Sequence, residues 1–457
     1  MRNHKIWAVI VLAWCWWGYL AATSQMLISA DAIGYHNLGV MFQKQDWGTY
    51  FLTGPNREPG YPLLVAAGLA LGQWTGVDYQ IILKIAQLFL LGAAQLLVWR
   101  WLFLLGSPAA GIMVAVGYIG FSPALINAAL SMYSEILIIP ILVSFVLAHM
   151  YWWPAVVDGK RWKAIFLSSW IALLWLACIF IKAVFWYVFL VYWVLVMMAL
   201  VWKLPAAKRG WALGGWVLAA AIVVGSVQAY LNIQTFYNGS RMLTDRGSYL
   251  FYANTVRRTA ALSPRRALAG VLAIPGEGVC NALMRKEDCW YWGIANQDEI
   301  GFAPLIAWSS SRLNGQQRND RLFALGRSAI KTNPCQYALY TFFESFKMLF
   351  WESTQVSFVQ YPPWLNKLYA KGLVKNIWRL VPAMISAWAF VVLVVHGWGL
   401  RQEPWRKYFS VMVVLLVIVL LSGVYSLATI VTRYAFMFGP LWAGLWVLAA
   451  HRRRIFQ

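Results

Sequence analysis

Charged residues are scarce in this chain: they make up 12% of its 457 residues, about half the share usual in a soluble globular protein. Acids are the scarcer sign, with 16 Asp and Glu against 38 Lys and Arg and a formal net charge of +22. So little polar surface cannot cover a water-soluble body, which excludes a string of soluble domains, and an apolar share of 61% excludes disorder. Cysteine is rare too. The five present lack metal-type spacing, which argues against a zinc or iron–sulfur site and against a small disulfide-built fold. Internal repeats, low-complexity tracts and the glycine spacing of a phosphate-binding loop are missing, so nothing points to a soluble nucleotide cofactor.

What is abundant is apolar and aromatic. The 29 tryptophans suit a protein with two membrane interfaces, where amphipathic rings sit at headgroup level. In a soluble protein the +22 charge would suggest nucleic acid; here cytoplasmic loops and attraction to anionic lipid account for it, so membrane lipids and not nucleic acid are the expected partners.

Runs of about 20 mainly apolar residues mark helices long enough to cross a bilayer. They fall at 6–28, 79–104, 108–126, 133–152, 164–181, 184–202, 211–231, 377–399, 409–428 and 434–450, about ten in all. The basic start at Arg2 and Lys5 can be read as opening a cleavable signal or a retained anchor, and the spans that follow favour the anchor, with a cytoplasmic N-terminus. Lys160-Arg161-Lys163, the stretch from Lys203 to Arg209 and the tail His451-Arg452-Arg453-Arg454 belong inside. Counting back, 79–104 starts outside, so Pro59 to Trp74 does not cross; at about 16 residues it is expected to dip into the outer leaflet.

The expected organisation is a mainly-α polytopic membrane protein. A transmembrane module of about seven spans covers 1–231, with a first outer loop at 31–78. An extracytoplasmic domain covers 232–375, and about three more spans cover 376–457. Cys280 and Cys289 are close enough for a bridge in an oxidising compartment, leaving Cys335 over. The cations of this domain, among them Arg257-Arg258, Arg265-Arg266 and Arg285-Lys286, fit a solvated surface or an anionic partner. Trp290-Tyr291-Trp292 fits sugar stacking or interface anchoring.

The chemistry is expected just after the first span, in Asp31-Ala32-Ile33-Gly34-Tyr35-His36 and in the stretch Gly54-Pro55-Asn56-Arg57-Glu58-Pro59-Gly60-Tyr61-Pro62. An acid beside a membrane segment is costly to keep, which makes Asp31 a functional candidate, although Asp also commonly caps a helix. Lys84, Glu135, Lys182 and Arg433 lie at the outer ends of other runs and converge on the same leaflet. Singly, these cations could snorkel or pair locally. Together they suit a lipid-linked phosphate: cations clamp the anion and a carboxylate takes a proton from an incoming hydroxyl.

This pattern resembles the GT-C superfamily of membrane glycosyltransferases, especially the branch with protein mannosyltransferases and lipid A aminoarabinose transferases. The resemblance rests on Asp31 after the first span with Tyr35 four residues on, Pro59 to Pro62, Ser134-Glu135 before a span, Lys182 at a span end, and Arg433-Tyr434 followed by Pro440. It implies a GT-C-like transmembrane module in a bacterial inner membrane, with the active site facing the periplasm. The donor would be a sugar on polyprenyl phosphate and the acceptor an extracytoplasmic glycan, lipid or protein. Asp31 would be the general base of an inverting displacement, with Glu58 and Glu135 as supporting acids. Arg57, Lys84, Lys182 and Arg433 would bind the donor phosphate, and Tyr35, Tyr61 and Tyr434 the substrate. The family commonly carries an Asp-Glu pair where this chain has Asp31-Ala32, which weakens any divalent-metal role; no cofactor is assigned beyond the lipid-linked donor. Two other readings stand beside it: an O-antigen ligase or polymerase working on diphosphate-linked glycans through the Arg-rich outer domain, and a transporter or flippase of a lipid-linked anion.

Overall fold

A segment buried in lipid must satisfy each backbone N–H and C=O within itself, so long apolar runs fold as helices. The computed structural model describes residues 2–54, 57–260, 263–311, 313–349, 358–398, 405–428 and 432–452, and the chain is a mainly-α polytopic membrane protein. Among the described residues eight helices are long and apolar enough to cross a membrane, nine if one bent pair counts as a single span.

The first long helix, α1 (Arg2–Thr23), runs into a short strand, β1 (Gln25–Met26). This pairs antiparallel with β2 (Val359–Gln360), Gln25 opposite Gln360 and Met26 opposite Val359. Three shorter helices follow: α2 (Asp31–Gln43), α3 (Trp47–Thr53) and α4 (Gly60–Thr75). Asp46 opens α3 by accepting from Thr49 N at 3.0 Å. α4 stops at Gly76, whose φ of 72° is the left-handed conformation that a Cβ disfavours. Asp78 then caps α5 (Tyr79–Leu104), accepting from Gln80 N at 2.9 Å. α4 lies beside only the first turns of α5, with Tyr61 OH donating to Gln87 Oε1 at 2.6 Å and Gly72 against Tyr79. Lys84, in the second turn of α5, reaches the carbonyls at the end of α1, so residues 24–78 leave and rejoin the bundle at one end.

The run expected at 108–126 is broken. α6 (Ala109–Phe121) and α7 (Pro123–Leu130) meet at 45°, because Pro123 has no N–H to donate and its ring crowds the preceding turn. Four long helices come next: α8 (Glu135–Val157), α9 (Arg161–Ile181), α10 (Val184–Lys203) and α11 (Ala206–Asn238). Trp193 and Trp216 stack at 4.1 Å and each indole donates to the other's carbonyl, which locks α10 to α11. The 33 residues of α11 span about 50 Å, more than the ~30 Å of hydrocarbon, so the helix continues past the expected limit at 231.

Between α11 and the last spans lies a helical insert: α12 (Arg246–Thr259), α13 (Pro264–Leu272), α14 (Glu277–Leu283), α15 (Lys286–Trp290), α16 (Ile294–Ala307), α17 (Gly315–Thr332), α18 (Pro334–Ser345) and α19 (Pro363–Ala370). α12 is its centre, with α16, α17 and α18 packed around it. A disulfide joins Cys280 and Cys289, whose Cα atoms are 5.8 Å apart, beside buried Trp292 and Tyr340; Cys335 is free and exposed. Tyr337 OH donates to Leu427 O at 2.8 Å and Arg258 Nη1 to Ser426 O at 2.6 Å, tying the insert to the membrane helices. Those carbonyls end α21 (Trp405–Ala428), which follows α20 (Gly372–Trp398). The run expected to span at 434–450 folds as a 3-10 helix, Thr432–Phe438, and the shorter α22 (Gly439–Ala450), with Pro440 starting the new helix. The expected total of about ten spans is reached only by counting this short helix and the bent pair. Arg453 and Arg454 of the basic tail lie outside the described residues.

Candidate active site

Three sets of contacts aim the chain after α1. Lys84 Nζ donates at 2.7 Å to both Ala21 O and Ser24 O, carbonyls that the end of a helix leaves without partners. The β1–β2 pair then fixes the exit. Ala30, with φ 46° and ψ −116°, bends the backbone in a way a residue with a Cβ rarely adopts, and Asp31 starts α2 directly after this strain.

The loop after α3 is held by the extended end of α11. Tyr50 OH donates to Arg57 O at 3.0 Å and meets Tyr230 OH at 2.8 Å, while Asn238 Nδ2 donates to Phe51 O at 2.7 Å. Burial pushes the Tyr50 phenol well above its ordinary range, so it stays a neutral donor. Arg57 is thereby laid across α2. Its Nη2 is 2.7 Å from Asp31 Oδ1, and its guanidinium lies 4.3 Å from the centre of the Tyr35 ring. Gly34 makes the space: a Cβ there would come within 2.7 Å of Arg57 Nε.

A second guanidinium arrives from the insert. Arg246, first residue of α12, places Nη2 3.2 Å from the same Asp31 oxygen and Nε 3.3 Å from Tyr249 OH. Burial opposes its charge, but Asp31, Tyr249 and Tyr434 overcome this and raise its affinity for the proton. Beneath lies a second ion pair, Lys182 Nζ to Glu135 Oε1 at 3.0 Å, both side chains largely buried. Ser134 Oγ links it to Tyr35, whose OH donates to it at 3.0 Å. Lys182 also sits 4.5 Å from the Tyr434 ring centre, and Tyr434 stacks on Tyr425 at 4.7 Å. Glu58 Oε1 accepts from Ala183 N at 2.6 Å. That bond needs α4 close to α9, and Gly60 allows it: a Cβ there would meet Phe180 O and Ile181 Cγ1 at 2.8 Å.

Asp31, Tyr35, Arg57, Glu58, Glu135, Lys182 and Tyr434 therefore line one cavity of about 170 Å³, which is room for a ligand group and not just one water at ~30 Å³. Three cations, Arg57, Lys182 and Arg246, face three carboxylates in it, so the charges balance and an arriving anion must compete for guanidinium or ammonium. Two expected residues are elsewhere. Lys84, expected at the donor phosphate, is only 5% exposed and its ammonium is taken by the α1 carbonyls; Tyr61, expected at the substrate, is fully buried behind Tyr35 and donates to Gln87. The Arg433 side chain lies outside the described residues.

Sequence reasoning missed Arg246, Tyr133, Tyr187 and Tyr425. A tyrosine near the end of the 409–428 apolar run was a readable signal for Tyr425. Arg246 had none, being one cation among many in the insert. Among the described residues no three of His, Cys, Asp and Glu come together as a metal site would need. Comparison with protein-family models, with curated proteins and with solved structures finds no match to this chain.

Proposed function

We propose that the chain is a GT-C-like membrane glycosyltransferase that moves a sugar from a polyprenyl-phosphate donor to a hydroxyl of an extracytoplasmic glycan, lipid or protein, in a bacterial inner membrane with this cavity facing the periplasm. The observation that carries the reading is the sharing of one carboxylate, Asp31, by Arg57 and Arg246 in a charge-balanced cavity at the end of the spans. Each guanidinium reaches the Asp31 oxygen through one nitrogen, and a phosphate it can grip with two donors is the better partner. The donor phosphate draws both arginines away from Asp31 as it binds, and the released carboxylate becomes a stronger base. The acceptor hydroxyl oxygen attacks the anomeric carbon, its proton goes to Asp31, and the carbon–oxygen bond to phosphate breaks with inversion. Polyprenyl phosphate leaves with the electron pair as an anion, stabilised by Arg57, Arg246 and Lys182, so no strong general acid is required. Glu135 holds Lys182 in place, Glu58 fixes the turn at Ala183, and Tyr35 and Tyr434 bound the sugar.

The test is native mass spectrometry of the protein purified from its own membranes, wild type against Asp31→Asn and Arg57→Ala. A polyprenyl monophosphate sugar retained by wild type and Asp31→Asn and depleted in Arg57→Ala is the expected result. A diphosphate-linked oligosaccharide would favour the ligase reading, and no lipid-linked sugar in any sample would remove the transferase.

A further inference from the structure

The insert holds a buried charge imbalance away from the first cavity. Glu344 is 2% exposed and is the single carboxylate shared by three cations: Lys347 Nζ at 2.7 Å, Arg257 Nη2 at 3.1 Å and Arg258 Nε at 2.6 Å. Among the described residues no second acid pairs with any of the three, which leaves a surplus of two positive charges. All three cations are at most 7% exposed, and an uncompensated buried charge is costly. Such a cluster favours a further negative charge beside it.

There is space for it. Arg257 and Lys347 form one wall of a cavity of about 540 Å³. Lys375 and Arg379, one turn apart at the start of the spanning helix α20, line it as well, with Trp290 and the carboxylate of Glu277. Arg379 lies against Gly276, at φ 135°, where a Cβ would come within 2.1 Å of its Nη1, so backbone is cleared to let the guanidinium in. Trp290 is 45% exposed, a flat face free to stack on a ring. The start of a spanning helix puts this cavity at the level of lipid headgroups.

Immediately along the chain the surface changes character. The 3-10 turn Phe346–Leu349 sends Lys347 into the cationic cavity, whereas Phe346 and Met348 line an apolar groove of about 810 Å³ between α18, α20 and α21, with Phe390, Ile418 and Trp442. A cationic pocket with an aromatic face, set beside a hydrocarbon groove at a membrane interface, is complementary to one class of ligand.

We infer that this pair of cavities binds a membrane amphiphile with a phosphorylated ring as headgroup: the phosphate among Arg257, Lys347, Lys375 and Arg379, the ring on Trp290, and a hydrocarbon chain in the groove. The inference rests on the charge surplus and does not depend on the glycosyltransferase reading. The full chain in phosphatidylcholine nanodiscs is titrated with phosphatidylinositol 4-phosphate, and separately with glucose 1-phosphate, which offers phosphate and ring without a tail. Binding is read by native mass spectrometry and thermophoresis. Lipid binding at least about tenfold weaker in the Lys375→Ala/Arg379→Ala double variant, the scale of one lost charge-assisted hydrogen bond, is the expected result. Trp290→Ala, on an exposed side chain, weakens it as well, and Lys331→Ala, on the exposed face of α17, leaves it within twofold. Glucose 1-phosphate bound more weakly than the lipid supports the amphiphile, and equal affinity overturns the groove's part. Unchanged affinity in both cavity variants, loss matched by Asp31→Asn, or no binding above phosphatidylcholine alone overturns the site.

Discussion

Replacing Lys84 with methionine separates a structural cation from a substrate cation. The ammonium donates at 2.7 Å to two carbonyls, Ala21 O and Ser24 O, at the buried end of α1. A hydrogen bond from a charged group is worth about 1.5–3 kcal/mol, so the two together contribute roughly 3–6 kcal/mol gross. Relief of the cost of burying the ammonium returns part of this, and Met keeps most of the packing volume, which leaves a net loss of about 2–3 kcal/mol. Thermal unfolding of the detergent-solubilised protein, followed by circular dichroism, should show a midpoint lower by a few degrees. Affinity for polyprenyl phosphate, measured far below that midpoint, should stay within about threefold of wild type, since no donor to the cavity has been removed. An unchanged midpoint with affinity down tenfold or more would refute this reasoning and return Lys84 to the phosphate site.

Gly34→Ala should barely change stability, because the Arg57 side chain can swing away from the added methyl, but it should weaken polyprenyl-phosphate binding several-fold; unchanged affinity would mean Arg57 does not need its place over α2. Lys182→Met leaves Glu135 buried without its cation and should cost about 3–5 kcal/mol, of which Lys182→Met/Glu135→Gln recovers most in thermal stability while donor binding stays impaired. Glu344 should show its signature in acid. Burial opposes its ionisation, but Arg258, Lys347 and Arg257 hold its carboxyl well below the usual carboxylate range, so its contribution is complete above the unfolded value of ~4.3 and is lost as pH falls through the lower folded value. The stability gap between wild type and Glu344→Gln is therefore flat from neutral pH to about 5 and narrows below about 4.3, and a gap that narrows near neutral pH would contradict the sign.

The membrane character of the chain was legible because hydrocarbon enforces a simple code: about 20 apolar residues can do little but form a helix. The code failed where a local residue overrode the run. Pro123 splits 108–126, Gly439-Pro440 shortens the last run, and α11 outlasts its apolar stretch, its polar end held where Gln234 donates to Tyr230 OH one turn back and Asn238 donates to Phe51 O. Asp31, Glu135 and Lys182 were readable because each is a costly charge at the end of an apolar run, whereas Arg57 and Glu58 entered through the loop before Pro59 and the family resemblance. That argument could not tell a charge aimed at a cavity from one aimed at a carbonyl, which is why Lys84 was placed with them. The β1–β2 pair, two residues long and joining positions more than three hundred apart, leaves no pattern in sequence at all.

Arg246 shows what the unreadable part of the chain contributes. Three of the groups that hold Asp31 in its setting belong to the membrane module: Lys84 through α1, Tyr35 beneath Arg57, and Arg57 itself. The fourth comes from the insert, more than two hundred residues later, and reaches the same carboxylate oxygen. Without Arg246 the cavity would hold three carboxylates against two cations and would repel a phosphate; with it the charges balance and a phosphate can be exchanged for a carboxylate. The insert is in turn held to the spans by Arg258 and Tyr337 on the last carbonyls of α21, and Arg258 belongs to the buried cluster around Glu344. Arg246 and the Arg257–Arg258 pair are thus the two ends of one helix, Arg246–Thr259, so the element that completes the charge balance around Asp31 is also the one anchored by the buried cluster at Glu344.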